Sequence, residues 1–181
     1  VGSDYGTLDA GAETHRDRAK DLFFIPYLAG AGFPHENPDE PARVIGLKLS
    51  HDRYDLARAL MEGVAFEARW VLEELKRLGC PAGKLIMTGR TAHSDLWRGI
   101  LRDVTGCEIL VTEEADTCCI GAAMLASVGA GIRSSLPEAA EQMTRIAVRD
   151  LPQAEGVAFY NEKYRRYREL ADDGFDKGRE S

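Results

Sequence analysis

A chain of 181 residues, 44% apolar and 29% charged, is long and apolar enough to bury one substantial core, which excludes a disordered class and predicts a single globular domain. Its 23 basic and 30 acidic residues leave a formal charge of -7, so neither nucleic acid nor an anionic membrane surface is an expected partner, and a small molecule or a protein is. No apolar run is long enough to span a bilayer, Val1-Gly2-Ser3-Asp4 has neither the basic nor the apolar region of a signal peptide, and a cytoplasmic location is expected.

Residues 1 to 21 are polar and include a charged run from His15 to Asp21; no element is placed there. Leu22-Phe23-Phe24-Ile25, halted by Pro26, predicts a short buried strand. The following stretch, with Gly30, Gly32, Pro34, Pro38 and Pro41, reads as a structured loop because Tyr27 and Phe33 are interleaved with it. Val44 to Leu49 alternates apolar with small or polar residues and predicts a second short strand. From Asp52 the spacing becomes helical: Leu56, Leu60, Val64, Phe66, Val71, Leu75 and Leu78 lie near one stripe, which Gly79 and Pro81 stop after about seven turns.

Lys84 to Thr88 is apolar and of strand length; Gly89 to Ala92 turns the chain, and Ser94 is placed to cap a helix that runs to Thr105 and stops at Gly106. The unit then repeats, with a strand from Glu108 to Thr112, a helix from about Thr117 to Val128, and a stop at Gly129 and Gly131. Strands alternating with helices predict an α/β fold with a parallel sheet and crossover helices. Leu136 to Met143 and Gly156 to Asp173 predict two more helices, the second presenting Tyr160, Tyr164 and Tyr167 as a docking face, with a charged and frayed tail beyond it.

The turn from Thr88 to Ser94 joins the end of a parallel strand to the start of a helix, where unpaired backbone N–H groups and the positive end of the helix dipole favour an anionic ligand. Gly89 lets a ligand approach the backbone, Thr91 and Ser94 add hydroxyls, and Arg90 adds a charge; the run matches neither a P-loop nor a dinucleotide fingerprint. Elsewhere the bland reading wins. His51, Asp52 and Asp55 read as capping rather than acid/base groups, Glu62 and Glu67 as groove-facing or solvated with a buried, hydrogen-bonded carboxylate as the alternative for Glu62, Arg43 as a loop-holding donor, and Met61, Met87 and Met124 as core. Cys80, Cys107, Cys118 and Cys119 form neither a CxxC pair nor a zinc-like Cys/His spacing and read as buried reduced thiols.

Gly46-Leu47, seven residues, then Asp55-Leu56-Ala57-Arg58-Ala59-Leu60-Met61-Glu62 resembles the C-terminal signature of the FGGY family of carbohydrate kinases. Phe24-Ile25-Pro26-Tyr27-Leu28-Ala29-Gly30 is similar to that family's Pro-Tyr-Leu-x-Gly segment; Ser94-x-Leu96-Trp97, Asp103-Val104-Thr105-Gly106 and Gly121-Ala122-Ala123-x-Leu125-Ala126 are similar to its later helices, and Tyr160, Tyr164 and Tyr167 to its closing one. These motifs keep the family's order across residues 22 to 170, and 46 to 106 most resemble the xylulokinase group.

The resemblance implies a partial nucleotide-binding lobe of the actin-like ATPase (ribonuclease H-like) fold over residues 1 to 181, and transfer of the γ-phosphoryl group of ATP to a sugar or polyol hydroxyl with Mg2+. It matches Gly89 to the glycine that contacts the nucleotide and His93 to where some members place an adenine-contacting Asn; with Arg90, Thr91 and Ser94 of the same turn these make the expected nucleotide set. Arg90 and Thr91 stand where members usually have two small residues; an arginine strained by positive φ would obstruct, one reaching the phosphates would bind, and the balance favours obstruction or neutrality. The family's sugar-binding lobe, its catalytic aspartate and the strand meander that opens the second lobe have no counterpart in residues 1 to 181. Hence no catalytic residue or metal ligand is assigned; sugar contact is expected through that other lobe, the chain alone is expected to be inactive, and an uncovered sheet edge makes a homo-oligomer possible. The alternative is a degenerate, non-catalytic lobe that serves as an interaction module.

Overall fold

The computed structural model describes residues 5–114 and 116–177, so Val1 to Asp4 and the last four residues of the expected tail lie outside it. In chain order the elements are α1 (Tyr5–Glu13), β1 (Phe23–Ile25), β2 (Arg43–Ile45), α2 (Arg53–Arg77), β3 (Lys84–Met87), a 3-10 turn (Arg90–His93), α3 (Asp95–Thr105), β4 (Glu108–Thr112), α4 (Thr117–Gly129), α5 (Leu136–Met143), β5 (Ile146–Asp150) and α6 (Ala154–Lys177). No helix among the described residues is long and apolar enough to cross a membrane.

A reciprocal capping box starts α2: the Asp52 side chain accepts from the backbone of Asp55, and the Asp55 side chain from the backbone of Asp52. The helix then becomes the spine of the larger core, in which Met61, Ala65, Phe66 and Trp70 meet Phe23 and Ile25 of β1, Ile100 and Val104 of α3, and Tyr160, Tyr164 and Tyr167 of α6. The tyrosine stripe is thus a docking face within the chain. Of the residues predicted to form the buried stripe of α2, only Phe66 is fully buried, while Leu56, Val64 and Leu78 are exposed. The buried face is offset because it holds Arg58 and Glu62, which neutralise each other, and Gly63, where a Cβ would stand 2.1 Å from the Phe24 carbonyl oxygen.

Two small sheets flank this core. β1 and β2 pair antiparallel, with Phe24 opposite Val44. The second sheet has the order β3-β4-β5. β3 and β4 run parallel in the register Lys84–Glu108 to Met87–Val111, joined through α3 as the strand–helix alternation predicts. β4 is the central strand, and Ile109, Leu110 and Val111 are buried, as expected for a short apolar run covered on both sides. β5 departs from the expected parallel sheet: it pairs antiparallel with β4, because two helices, α4 and α5, intervene and bring the chain back from the opposite end. α1 also occupies a stretch where no element is expected. Cys107 is buried, but Cys80, Cys118 and Cys119 are exposed, and of Met61, Met87 and Met124 only Met61 is buried.

Candidate functional site

β3 ends at Met87, and two residues later the backbone takes a conformation that side chains resist. Gly89 has φ 78 and ψ -167, a region populated almost entirely by glycine. Nothing lies within 4 Å of where its Cβ would stand, so the glycine is required by the backbone path rather than by a neighbour, and its front remains open to a ligand.

The next residues wind into the 3-10 turn, closed by Ala92 N–H donating to the Gly89 carbonyl at 3.2 Å and Ser94 N–H to the Thr91 carbonyl at 3.1 Å. Ser94 then caps α3, its hydroxyl accepting from Trp97 N–H at 3.2 Å. A guanidinium fixes the turn from behind: Arg98 Nη1 donates to the Ala92 carbonyl at 2.8 Å, Nε to Asp150 of β5 at 2.8 Å, and Nη2 pairs with Asp95. Ala92 is buried beneath, whereas Gly89, Arg90, Thr91 and His93 are exposed on the outer side.

Gly89, Arg90, Thr91, His93 and Ser94 therefore lie on one turn, with Ser94 committed to capping. Arg90 has helical rather than positive φ, since Glu36 is the one non-glycine residue of positive φ among those described. The strain envisaged for an arginine there does not arise. Arg90 also has no ion pair with a described residue, so its charge is available to an anion.

Beside the turn, a hollow of about 220 Å³ opens between the end of the sheet and the first turns of α4, lined by Ile86, Thr88, Thr117, Ile120, Gly121 and Met124 among others. Of its lining on α4, Gly121 belongs to the family-like motif and Met124 reads as core in the sequence, and neither is expected there as a site residue. The signal available was the second strand-to-helix joint, from Thr112 to Thr117, which repeats the arrangement of the first. The two joints differ in charge. α4 is capped by the Asp116 carboxylate, held below its usual range by the Cys119 backbone N–H, whereas α3 is capped by a neutral hydroxyl and the Asp95 carboxylate in its first turn is paired with Arg98.

The weaker candidates are structural in geometry. Asp52 and Asp55 form the capping box, and His51 Nδ1 accepts from Lys48 N–H at 3.0 Å. Arg43 donates to the Leu170 and Ala171 carbonyls at 3.1 Å each and pairs with Glu40 of its own loop at 3.4 Å, so it ties that loop to α6. Glu62 is buried among Arg58, Tyr160 and Lys163, which is the buried, hydrogen-bonded alternative rather than a groove-facing or solvated placement. Glu67 is also largely enclosed, accepting from Tyr27 and Tyr167. Around the turn itself the donors are a guanidinium, an imidazole and hydroxyls, and Asp95 is engaged by Arg98; this set does not suit magnesium, which takes oxygen ligands in an octahedron.

Comparison with known proteins agrees with this architecture. The profile of the FGGY family of carbohydrate kinases, C-terminal domain, matches residues 3–130. The chain is 33% identical over 150 residues to the L-xylulose/3-keto-L-gulonate kinase of Escherichia coli K12, covering 83% of this chain and 30% of that protein. It is 31% identical over 160 residues to the xylulose kinase of Bacillus subtilis, covering 88% and 32%. A ligand-bound xylulose kinase from Lactobacillus acidophilus superposes with a TM-score of 0.85 at 22% identity, covering 94% of this chain and 35% of that one. The chain thus spans about a third of the length of these proteins and has their actin-like ATPase fold. With more than half of its residues on the profile of the family's C-terminal domain, this chain belongs to the FGGY family of carbohydrate kinases.

Proposed function

We propose that this chain is the ATP-holding part of a carbohydrate kinase, in which the γ-phosphoryl group of ATP passes to a hydroxyl of a xylulose-like sugar. The observation that carries this reading is Gly89, held in a glycine-only conformation at the end of β3 with open space before it and an apolar hollow beside it. A nucleotide has the matching parts: phosphates for the exposed amides and the Arg90 guanidinium, and a flat base for the hollow. His93 and Thr91 flank the approach. Phosphoryl transfer depends on positioning and charge neutralisation, so a surface that only holds ATP is a sensible component of the enzyme.

Residues 1 to 181 act as one nucleotide-binding lobe and leave the sugar to a second lobe, so transfer requires both. Magnesium accompanies the nucleotide phosphates, and we assign it no ligand on this chain. The xylulose-like substrate follows the relatives named above, and a cytoplasmic location belongs to the same reading.

Calorimetric titration of the chain with ATP tests the binding half; the polypeptide from the full reading frame containing these residues, assayed for ADP release with xylulose, gluconate and glycerol, tests the transfer half. Saturable ATP binding with xylulose preferred is expected. Absence of ATP binding in the full polypeptide would overturn the proposal, and ATP binding without sugar phosphorylation would reduce it to a non-catalytic lobe.

A further inference from the structure

Away from the nucleotide turn, where the segment after α1 meets the start of α2, three side chains converge with polar atoms that the capping box leaves unspent. His15 Nδ1 lies 2.6 Å from the Gly11 carbonyl oxygen. A carbonyl only accepts, so Nδ1 carries the proton and Nε2 of the neutral ring keeps its lone pair. Nε2 faces Asp52 Oδ2 at 3.4 Å. Asp52 commits its other oxygen, Oδ1, to Tyr54 and Asp55 N–H at 2.8 and 3.3 Å. The Asp55 side chain is 0% exposed; Oδ2 accepts from Asp52 N–H at 2.8 Å, while Oδ1 is buried without a hydrogen-bond partner. One nitrogen of His15 and one carboxylate oxygen from each aspartate lie within 4.8 Å of one another.

A lone pair and two carboxylates do not gather without positive charge among them. Arg18 provides part of it, with Nη2 2.9 Å from Asp55 Oδ2 and 3.5 Å from Asp52 Oδ2. Its side chain is half exposed, however, and its contacts leave Asp55 Oδ1 without a hydrogen-bond partner, while His15 Nε2 has only Asp52 Oδ2 beside it, at 3.4 Å. A proton on Nε2 would satisfy Asp52 alone. A bound cation would satisfy all three.

We propose that His15, Asp52 and Asp55 form a binding site for a divalent transition cation of the Zn2+ type, with the Arg18 guanidinium as its built-in competitor. The donor set of one imidazole nitrogen and two carboxylate oxygens suits such a cation better than magnesium or calcium. The Gly11 carbonyl fixes the imidazole tautomer from the second shell, as ligating histidines require. Asp52, half exposed, leaves a side of the site open to water for a fourth ligand. The ion would clip the end of α1 to the first turn of α2, a structural role independent of nucleotide binding.

The test is calorimetric titration of Zn2+, without nucleotide, into the chain carrying Cys80→Ser, Cys118→Ser and Cys119→Ser, which removes the exposed thiols that also take zinc. One equivalent of saturable binding is expected, weakened by about tenfold or more in His15→Ala. Arg18→Gln replaces no proposed ligand but removes the guanidinium that contacts both aspartates, and is expected to tighten binding by removing the competitor. If His15→Ala does not fold by circular dichroism, His15→Gln replaces it, since its amide can keep the bond to Gly11. No saturable binding in the parent, unchanged binding in the folded His15 variant, or an Arg18→Gln variant that gains no affinity would each overturn the proposal.

Discussion

Arg58 Nε donates to Glu62 Oε1 at 2.7 Å across one turn of α2, and neither side chain is more than 5% exposed. The same carboxylate accepts from Tyr160 at 3.1 Å and pairs with Lys163, while Arg58 reaches the Ala12 carbonyl and Lys163 the Ala19 carbonyl. One buried acid and its two cations therefore join α1, the segment after it, α2 and α6. Glu62→Ala leaves two buried cations uncompensated and is expected to cost about 3–5 kcal/mol, measured by urea denaturation. In Glu62→Gln the deficit is expected to shrink as pH rises. Burial holds Lys163 below its ordinary 10.5, so the fold binds fewer protons there than the unfolded chain, and stability rises with pH through the window below that value.

Glu67 gives the opposite pH slope. Burial raises its pKa above the ordinary 4.5, although the Tyr167 and Tyr27 hydroxyls donate to it at 2.6 and 3.0 Å and oppose the shift. A carboxyl raised in the fold contributes stability that is present below 4.5 and lost as pH climbs through the folded value. Glu67→Gln keeps an acceptor for both phenols and removes the desolvated charge. Urea midpoints across this range should fall with pH in the parent relative to the variant, and parallel curves would contradict the assignment.

These two carboxylates mark where the sequence ceased to be legible. Gly89, Ser94, Gly106 and the apolar runs beside them are local signals, so β3, α3 and β4 could be placed within a residue or so. The burial of Glu62 depends on Lys163, 101 residues later, and that of Glu67 on Tyr167, 100 residues later; no window along α2 contains that information. β5 is similar, because its pairing is completed by Arg149 to Glu108 and Arg98 to Asp150. The candidate site divides in the same way. The turn is written in five neighbouring residues, while the hollow beside it needs β3, β4 and α4 brought together.

The chain should self-associate. β3 is an edge strand, Ile86 on it is 60% exposed, and α4, with no charged residue between Thr117 and Gly129, buries none of its side chains. An open strand edge next to an apolar helix seeks a partner. Light scattering is expected to show oligomers whose population falls in Ile86→Lys, and melting should lie no higher than the ordinary mesophile range, up to about 65 °C. A monomeric parent would contradict this.

Without a second lobe the attacking hydroxyl is unpositioned, so the purified chain should turn over no sugar even where it binds ATP. Sugar phosphate formed by the 181-residue chain, freed of host kinases, would be the contrary result.

Gly89→Ala forces a Cβ onto a backbone at φ 78 and ψ -167 and is expected to cost about 1–3 kcal/mol of stability or to shift the turn. Because the space before Gly89 is open, no clash adds to that cost. ATP affinity should fall in parallel, whereas Gly83→Ala, also in open space but before β3, should leave it unchanged. Calorimetry on both variants separates a nucleotide contact from a general loss of fold.

Arg90 is the sharpest departure from the family's small residues at this turn, and the geometry reverses the expectation drawn from the sequence. Obstruction required a strained backbone, yet Arg90 lies in the 3-10 turn without positive φ, so a glycine there relieves nothing and adds conformational freedom to the unfolded chain. What remains is charge. The side chain is exposed beside Gly89, has no ion pair with a described residue, and Arg98 behind it is occupied by Asp95 and Asp150. A hydrogen bond from a guanidinium to a phosphate is worth about 1.5–3 kcal/mol, and solvent at an exposed site reduces it toward the lower end. Arg90→Gly is therefore expected to weaken ATP binding by about tenfold, or roughly 1.4 kcal/mol, with a smaller loss for Arg90→Lys, which keeps the charge but not the fork. Titrations at two salt concentrations give the deciding measurement: the difference between parent and Arg90→Gly should narrow as salt rises. Equal or tighter binding in Arg90→Gly at low salt would show that the guanidinium stays in solvent and that the backbone alone holds the nucleotide.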